Sequence, residues 1–235
     1  MKVSVLLIFI LAHLTGDFVL QTEKVAKIKS TSVSGVAVHS GIITAVQMLF
    51  LGIFGLQGVL LGAVCGILHF FIDYMKGIIG KSLKAHFGYF VLDQMLHFSV
   101  MVLLTFLFTP AYRLFPINNT TVRILIIIIV LVSVSSIFTK TLLRDIYESV
   151  GREPFFKKHE RLTDAIFCSV IFLSMLLPLP VYLFLPAFLA IAAFGCFLYT
   201  GIMRFRLGYS FNIAVIKYFI YVVIAFSMLL FLRLG

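Results

Sequence analysis

The sequence predicts an all-α fold, a polytopic integral membrane bundle of seven or eight transmembrane helices. Of the 235 residues, 62% are hydrophobic and only 12% are charged, so the chain cannot supply the polar surface of a soluble domain. Several uncharged runs also reach the roughly 20 residues that a helix needs to cross a bilayer. The apolar runs do not alternate with polar residues, which favours helices over a membrane barrel.

The predicted spans follow one another with short connections. The first resembles a signal peptide, but no small-x-small cleavage site follows it, so we expect an uncleaved span. The uncharged stretch 165–203 holds two spans or includes a re-entrant element. Asp164 is expected to cap the start of the sixth span. The eight spans are 3–20, 36–55, 57–75, 91–109, 122–140, 163–179, 181–203 and 212–232.

The chain divides into two predicted halves of one membrane domain, residues 1–110 and 111–235. The second half contains the extended polar segment 140–162. Its first part has apolar residues at Leu142, Leu143, Ile146 and Val150, a spacing that predicts an amphipathic helix in the membrane interface.

Lys and Arg fall mostly on one side of the predicted membrane. The positive-inside rule places that side in the cytoplasm and therefore both termini outside. The net charge of +10 then reflects loops that meet anionic lipid, and we expect no nucleic-acid partner. The side with more Lys and Arg holds Lys24, Lys27, Lys29, Lys76, Lys81, Lys84, Lys140, Arg144, Arg152, Lys157, Lys158, Arg161, Arg204 and Arg206; the opposite side holds Lys2, Arg113, Arg123 and Arg233.

Ionisable side chains inside spans are costly and mark candidate functional sites. The first four spans carry seven of them: His13, Asp17, His39, His69, Asp73, Asp93 and His97. Three of the spans hold a His and an Asp four residues apart, which places both on one helix face. In each pair the Asp lies nearer the cytoplasm and the His lies one turn, about 6 Å, deeper.

Imidazoles and carboxylates together are typical ligands of Zn²⁺, Mn²⁺ or Fe²⁺. The seven residues could bind one or two such ions, with Asp73 or Asp93 acting as a general base. Gln21 and Gln94 are candidate supporting donors, and Lys76, Lys84 and Arg161 could bind an anionic head group. A proton or ion relay and a purely structural hydrogen-bond network are the alternatives for the same residues.

Four strings carry a resemblance to a known family: AHLTGDFVLQ, a lone His39, HFFIDYMK and FGYFVLDQMLH. They resemble a family of small, uncharacterised bacterial inner-membrane proteins with HLxGDFxLQ, HxxxD and DQxxH motifs, akin to membrane-bound metal-dependent hydrolases, some of them LexA-regulated. The resemblance covers about residues 10–100. It implies a bacterial inner-membrane location and assigns the seven His and Asp residues as metal or catalytic residues.

The sequence thus favours a membrane-embedded, metal-dependent hydrolase that acts on a lipid or a lipid-linked ester or phosphoester at the cytoplasmic leaflet. A transporter or channel for protons or divalent metal ions could use the same residues. A non-catalytic scaffold that recruits a partner through 140–162 is the third hypothesis. The oligomeric state does not follow from the sequence.

Overall fold

The structure, a computed structural model, describes residues 1–79, 86–108, 110, 113–149, 160–177 and 181–233, with the backbone alone for 181–184. These residues form α-helices joined by short turns, and the described part of the chain contains no β-strand. The helices are α1 Lys2–Leu14, α2 Glu23–Thr31, α3 Val33–Leu51, α4 Gly55–Ile79, α5 His86–Leu107, α6 Asn119–Ile129, α7 Ser135–Ser149, α8 Glu160–Met175, α9 Val181–Gly201 and α10 Phe211–Arg233.

Six segments of the described chain are long and apolar enough to cross a membrane, so the protein is a multi-pass membrane protein. The second of them contains both α3 and α4. Helix α8, which overlaps the predicted span 163–179, has 16 residues and is not among the six. The count of eight and the outward placement of the termini therefore stay predictions. The six segments are Lys2–Leu20, Val33–Ile78, His86–Leu107, Asn119–Ser149, Leu185–Arg206 and Phe211–Arg233.

The chain forms two compact units, Met1–Ile129 and Val130–Gly235. The first unit contains α1 to α6 and extends beyond the predicted half 1–110, because α6 packs against α1. The second unit contains α7 to α10, with α8 packed against α9 and α10.

Polar caps determine where α2 and α3 begin. The Thr22 hydroxyl accepts a hydrogen bond from the Val25 backbone N–H at 3.3 Å, and the Ser32 hydroxyl accepts one from the Gly35 N–H at 3.0 Å. Each cap satisfies a backbone donor that the first helical turn leaves free. Helix α2 has no buried residue, so it is a short surface helix that leads into the membrane-spanning α3.

Helices α3 and α4 form an antiparallel hairpin that is packed through glycines. The turn between them includes Gly55 with φ of 68°, a conformation that glycine adopts without steric cost. A Cβ atom on Gly62 would lie 2.7 Å from the Gln47 carbonyl carbon, and one on Gly66 would lie 2.7 Å from the Thr44 Cα. Only glycine allows the two backbones to approach this closely.

The predicted interfacial helix in 140–162 is not a separate element in the described residues. Helix α7 begins at Ser135, directly after a π-helical turn at Val130–Val134, and continues to Ser149. Leu142, Leu143 and Ile146 therefore belong to the same helical segment as the fifth predicted span, because no helix-breaking residue separates them. Val150 and the rest of the polar segment up to residue 159 lie outside the described residues.

Candidate metal centre

The seven ionisable residues of the first four predicted spans lie in one buried cluster of the first unit. His13 is near the end of α1, and Asp17 follows in a π-helical turn at Thr15–Leu20. His39 lies on α3, His69 and Asp73 lie on α4, and Asp93 and His97 lie on α5. No member of the cluster is more than 9% exposed. Four helices therefore converge at this cluster.

The three pairs spaced by four residues are in contact within their own helices. His13 Nε2 lies 3.4 Å from Asp17 Oδ2, and His69 Nε2 lies 3.1 Å from Asp73 Oδ2. His97 Nδ1 lies 3.6 Å from Asp93 Oδ1. One helical turn brings each imidazole next to its carboxylate, so the pairs are a local consequence of the sequence.

His39 joins the pairs of two different helices. Its Nε2 lies 2.9 Å from Asp17 Oδ1, 3.5 Å from Asp73 Oδ2 and 3.3 Å from His69 Nε2. The glycine-packed α3–α4 hairpin makes this approach possible, because it holds the backbones that carry His39 and His69 close together.

The four imidazole rings of the cluster pack on one another around His69. The His69 and His97 ring centroids are 4.1 Å apart, and those of His39 and His69 are 5.3 Å apart. The His13 ring lies 5.0 Å from that of His97. His69 is therefore the central histidine of the cluster.

Two groups of three residues could each hold a metal ion. The first consists of Asp17, His39 and His69, and the second consists of His69, Asp73 and His97. Within each group one ligand atom per residue lies within 4.8 Å of the others. Nitrogen and oxygen donors of this kind suit Zn²⁺, Mn²⁺ or Fe²⁺.

Several buried polar atoms of the cluster fit a bound cation. Among the described residues, His97 Nε2, His39 Nδ1 and Asp73 Oδ1 are fully buried and find no hydrogen-bond partner. Buried polar groups are almost always paired, so an unpaired set of imidazole nitrogens and carboxylate oxygens requires an explanation. Coordination of a cation by these atoms would provide one.

The carboxylates of the cluster contact polar side chains, and two of these, Lys76 and Gln94, are predicted from the sequence. Lys76 Nζ lies 2.7 Å from Asp93 Oδ2, and the Gln94 side-chain amide donates to the same oxygen at 3.2 Å. Lys29 Nζ lies 2.7 Å from Asp73 Oδ2. The sequence does not single out Lys29, because no local spacing relates α2 to α4.

The other residues predicted to support the cluster or to bind a head group lie in different parts of the chain. Gln21 follows the π-helical turn and lines a cavity of about 400 Å³ with Lys29, Asp73 and Lys76. Arg161 belongs to the second unit, where its guanidinium donates to the Ser133 hydroxyl at 2.8 Å. Lys84 lies outside the described residues.

The second unit contains a second buried group of charges, which the residue spacing in the sequence does not predict. Lys217 Nζ on α10 lies 3.1 Å from Glu160 Oε1 and 3.3 Å from Asp164 Oδ2, and all three side chains are fully buried. The Tyr199 hydroxyl donates to Asp164 Oδ1 at 2.8 Å. The Tyr209 hydroxyl donates to Glu160, and burial followed by this hydrogen bond raises the pKa of Tyr209 above its ordinary value.

The expectation that Asp164 caps a helix is wrong. Helix α8 begins at Glu160, four residues earlier, and Asp164 pairs with Lys217. The Ser136 hydroxyl also donates to it at 3.2 Å. The unusual position of Lys217 inside an apolar span was the available signal, because a buried ammonium group requires a carboxylate partner.

Fold and site together define a multi-pass helical membrane protein with a buried His/Asp cluster that could hold a metal ion. Residues 5–126 match a family described as "Protein of unknown function (DUF3307)". The match covers more than half of the chain and all seven residues of the cluster, so the protein belongs to this uncharacterised family. No curated protein and no solved structure is significantly similar to the chain.

Proposed function

We propose that the protein is a membrane-embedded, metal-dependent hydrolase of a bacterial inner membrane. Its substrate is a lipid or a lipid-linked ester or phosphoester, and its site lies at the cytoplasmic leaflet. The observation that carries the proposal is the buried cluster in which Asp17, His39 and His69 form one candidate ligand group and His69, Asp73 and His97 form another. One or two Zn²⁺, Mn²⁺ or Fe²⁺ ions are the proposed cofactors.

Asp73 and Asp93 have different proposed roles. A metal ion bound in this cluster would polarise the ester and lower the pKa of water. Asp73 belongs to a candidate ligand group, so we assign it to metal binding. Asp93 lies outside both groups and is held by Lys76 and Gln94, so we assign it as the general base. Asp93 would accept the proton of the attacking water and return it to the departing alcohol oxygen.

The distribution of buried polar residues favours this proposal over a transporter. Transport requires a polar path through the whole membrane. In the described part of the first unit, the polar side chains buried away from the cluster include Ser4, Gln47 and Thr105, and no further carboxylate is buried there. The carboxylates are confined to one end of the helices, as expected for a site that a substrate reaches from one leaflet.

The metal content of the purified protein tests the proposal directly. We expect one or two equivalents of a transition metal in the detergent-purified full-length protein, measured by inductively coupled plasma mass spectrometry. His69→Ala should lose most of this metal, because His69 belongs to both candidate groups. His86→Ala is the matched control, since His86 lies at the start of α5 outside both groups.

Helical circular dichroism and gel filtration would show that both variants are folded. If the wild type binds no metal even after incubation with Zn²⁺, Mn²⁺ and Fe²⁺, the hydrolase proposal fails. Equal metal loss in the His69 and His86 variants would also contradict it, because the metal would then not be bound by the cluster.

A further inference from the structure

Two neighbouring cavities of the first unit lie beside the His/Asp cluster and differ in polarity. The first, of about 400 Å³, is lined by Gln21, Ala26, Lys29, Ser30, Asp73, Lys76, Gly77 and Tyr89. The second, of about 340 Å³, is lined by Phe71, Ile72, Met75, Lys76, Tyr89, Leu92, Asp93 and Leu96. Lys76 and Tyr89 line both cavities, so one ligand can occupy the two together.

The polar cavity offers cations to an anionic group. Lys29 comes from α2 and Lys76 from α4, and their side chains are 16% and 30% exposed. Each ammonium group is paired with one carboxylate, Asp73 for Lys29 and Asp93 for Lys76. An ammonium group has three donors, so each lysine can also donate to a phosphate oxygen. Lysines on separate helices can contact different oxygens of the same phosphate.

The second cavity is a groove between α4 and α5 that suits a hydrocarbon chain. Apolar side chains from both helices form its walls, among them Phe71, Met75, Leu92 and Leu96, and each of these four is between 46% and 55% exposed. In a membrane-spanning helix pair such exposed apolar residues face lipid. A chain in this groove leads to Lys76, where the polar cavity begins.

We propose that these two cavities bind a membrane lipid that carries a phosphate, with the phosphate at Lys29 and Lys76 and a hydrocarbon chain in the α4–α5 groove. The inference deepens the proposed function: it rests on that function for the reaction, and on the two cavities alone for binding. Because Asp73 lines the polar cavity and Asp93 lines the groove, the head group is adjacent to both carboxylates of the proposed site.

Lipid binding by the full-length protein in detergent tests the inference. Dioleoyl phosphatidic acid would be titrated and the bound lipid counted by native mass spectrometry, with dioleoyl phosphatidylcholine as the reference lipid. We expect phosphatidic acid to bind at least about tenfold more tightly than phosphatidylcholine, because an unshielded phosphate accepts more hydrogen bonds from lysine. Lys29→Gln/Lys76→Gln should weaken this binding by at least about tenfold.

Three further variants distinguish binding at this site from general electrostatic attraction to the protein surface. Lys24→Gln/Lys27→Gln removes the same charge from exposed positions, both of them on α2, and should change the affinity less than twofold. Leu96→Trp places a bulky ring in the groove at a residue that is 46% exposed, and should weaken phosphatidic acid binding while leaving the protein folded. Lys29→Arg/Lys76→Arg should retain binding, which verifies that lost affinity reflects lost charge.

Three outcomes would overturn the inference: equal binding of the two lipids by the wild type, equal losses in the two lysine double variants, or displacement of the lipid by equimolar inorganic phosphate. The last outcome would indicate a free phosphate as the ligand. Metal content measured on the same samples separates the two proposals. Metal without lysine-dependent lipid binding refutes this inference alone, whereas lysine-dependent lipid binding without metal refutes the proposed hydrolase alone.

Discussion

Asp73 and Asp93 both lie within one helical turn of a histidine, but their surroundings differ. Asp73 Oδ2 is approached by two histidines, His69 at 3.1 Å and His39 at 3.5 Å. Asp93 Oδ1 is approached by His97 at 3.6 Å, and Asp93 Oδ2 accepts a hydrogen bond from the Gln94 amide. Each carboxylate is also paired with a lysine at 2.7 Å, Asp73 with Lys29 and Asp93 with Lys76. A carboxylate approached by two imidazoles suits a metal ligand, whereas one outside both candidate ligand groups suits a base.

The isosteric substitutions Asp73→Asn and Asp93→Asn should therefore have different effects. We expect Asp73→Asn to lower metal affinity by at least about tenfold. Asp93→Asn should keep its metal but release phosphate from dioctanoyl phosphatidic acid about 10²- to 10⁴-fold more slowly, because a general base contributes roughly that factor. Metal content and phosphate release would be measured on the same preparations. If Asp93→Asn loses the metal and Asp73→Asn retains it, our assignment of roles is reversed.

At the residue scale, the sequence predicts the His–Asp contacts within the cluster better than the contacts between carboxylates and lysines of different helices. The i,i+4 spacing of a helix is local, so the contacts within the pairs His69–Asp73 and Asp93–His97 follow from the sequence. The contact between Lys29 and Asp73 joins residues of α2 and α4 and depends on tertiary packing. Lys217 and Asp164, on α10 and α8, are separated by 53 residues. The roles of the cluster residues as metal ligands remain a prediction.

At the scale of elements, hydropathy predicts the positions of most spans but not their irregularities. The predicted span 3–20 corresponds to Lys2–Leu20 and the predicted span 212–232 to Phe211–Arg233. The π-helical turns at Thr15–Leu20 and Val130–Val134 leave no mark in hydropathy, because they change the hydrogen-bond pattern and not the composition. At residue 140 the opposite happens: the sequence becomes polar, which predicts the end of a span, but α7 continues through this position to Ser149.

The close contact between α3 and α4 has a signal in the sequence, a regular spacing of glycines. Gly58, Gly62 and Gly66 follow one another at intervals of four residues on one face of α4, a pattern typical of tightly packed membrane helices. This face meets α3, where His39 lies 3.3 Å from His69. The glycines of α4 therefore contribute to the geometry of the site as well as to the stability of the hairpin.

Gly62→Leu should destabilise the protein and disturb the cluster. The first carbon of the new side chain would lie 2.7 Å from the Gln47 carbonyl carbon and the Met48 nitrogen, and backbone atoms cannot move aside as a flexible side chain can. We expect the free energy of unfolding to fall by about 1–3 kcal/mol. The metal content should fall as well, because separating α3 from α4 moves His39 away from His69. Thermal unfolding followed by circular dichroism measures the first effect.

Gly41→Leu is the matched control, since a Cβ atom at Gly41 of α3 meets nothing within 4 Å. It adds the same side chain to a lipid-facing position and should leave both the unfolding midpoint and the metal content near wild type. Equal midpoints for the Gly62 and Gly41 variants would show that the hairpin does not require the close approach.

At the scale of the whole molecule, the proposed function depends on the orientation of the first unit. Helix α3 has 19 residues and is therefore about 28 Å long. Its first end is joined to α2 through the Ser32 cap, on the side of the His/Asp cluster. At its other end, the Leu114 backbone N–H donates to the Ile53 carbonyl at 2.7 Å. Lys24 of α2 and Asn118 thus lie beyond opposite ends of one membrane-spanning helix.

The distribution of Lys and Arg predicts that the Lys24 end faces the cytoplasm, which cysteine labelling in intact cells can test. Cys65 and Cys168 are buried, so replacing Cys196 by alanine gives a background that labels poorly. In that background Asn118→Cys should react with a membrane-impermeant maleimide in intact cells. Lys24→Cys should react only after permeabilisation, although both native residues are exposed. The opposite labelling pattern would show that the His/Asp cluster lies at the outer leaflet. The substrate would then be a lipid of that leaflet.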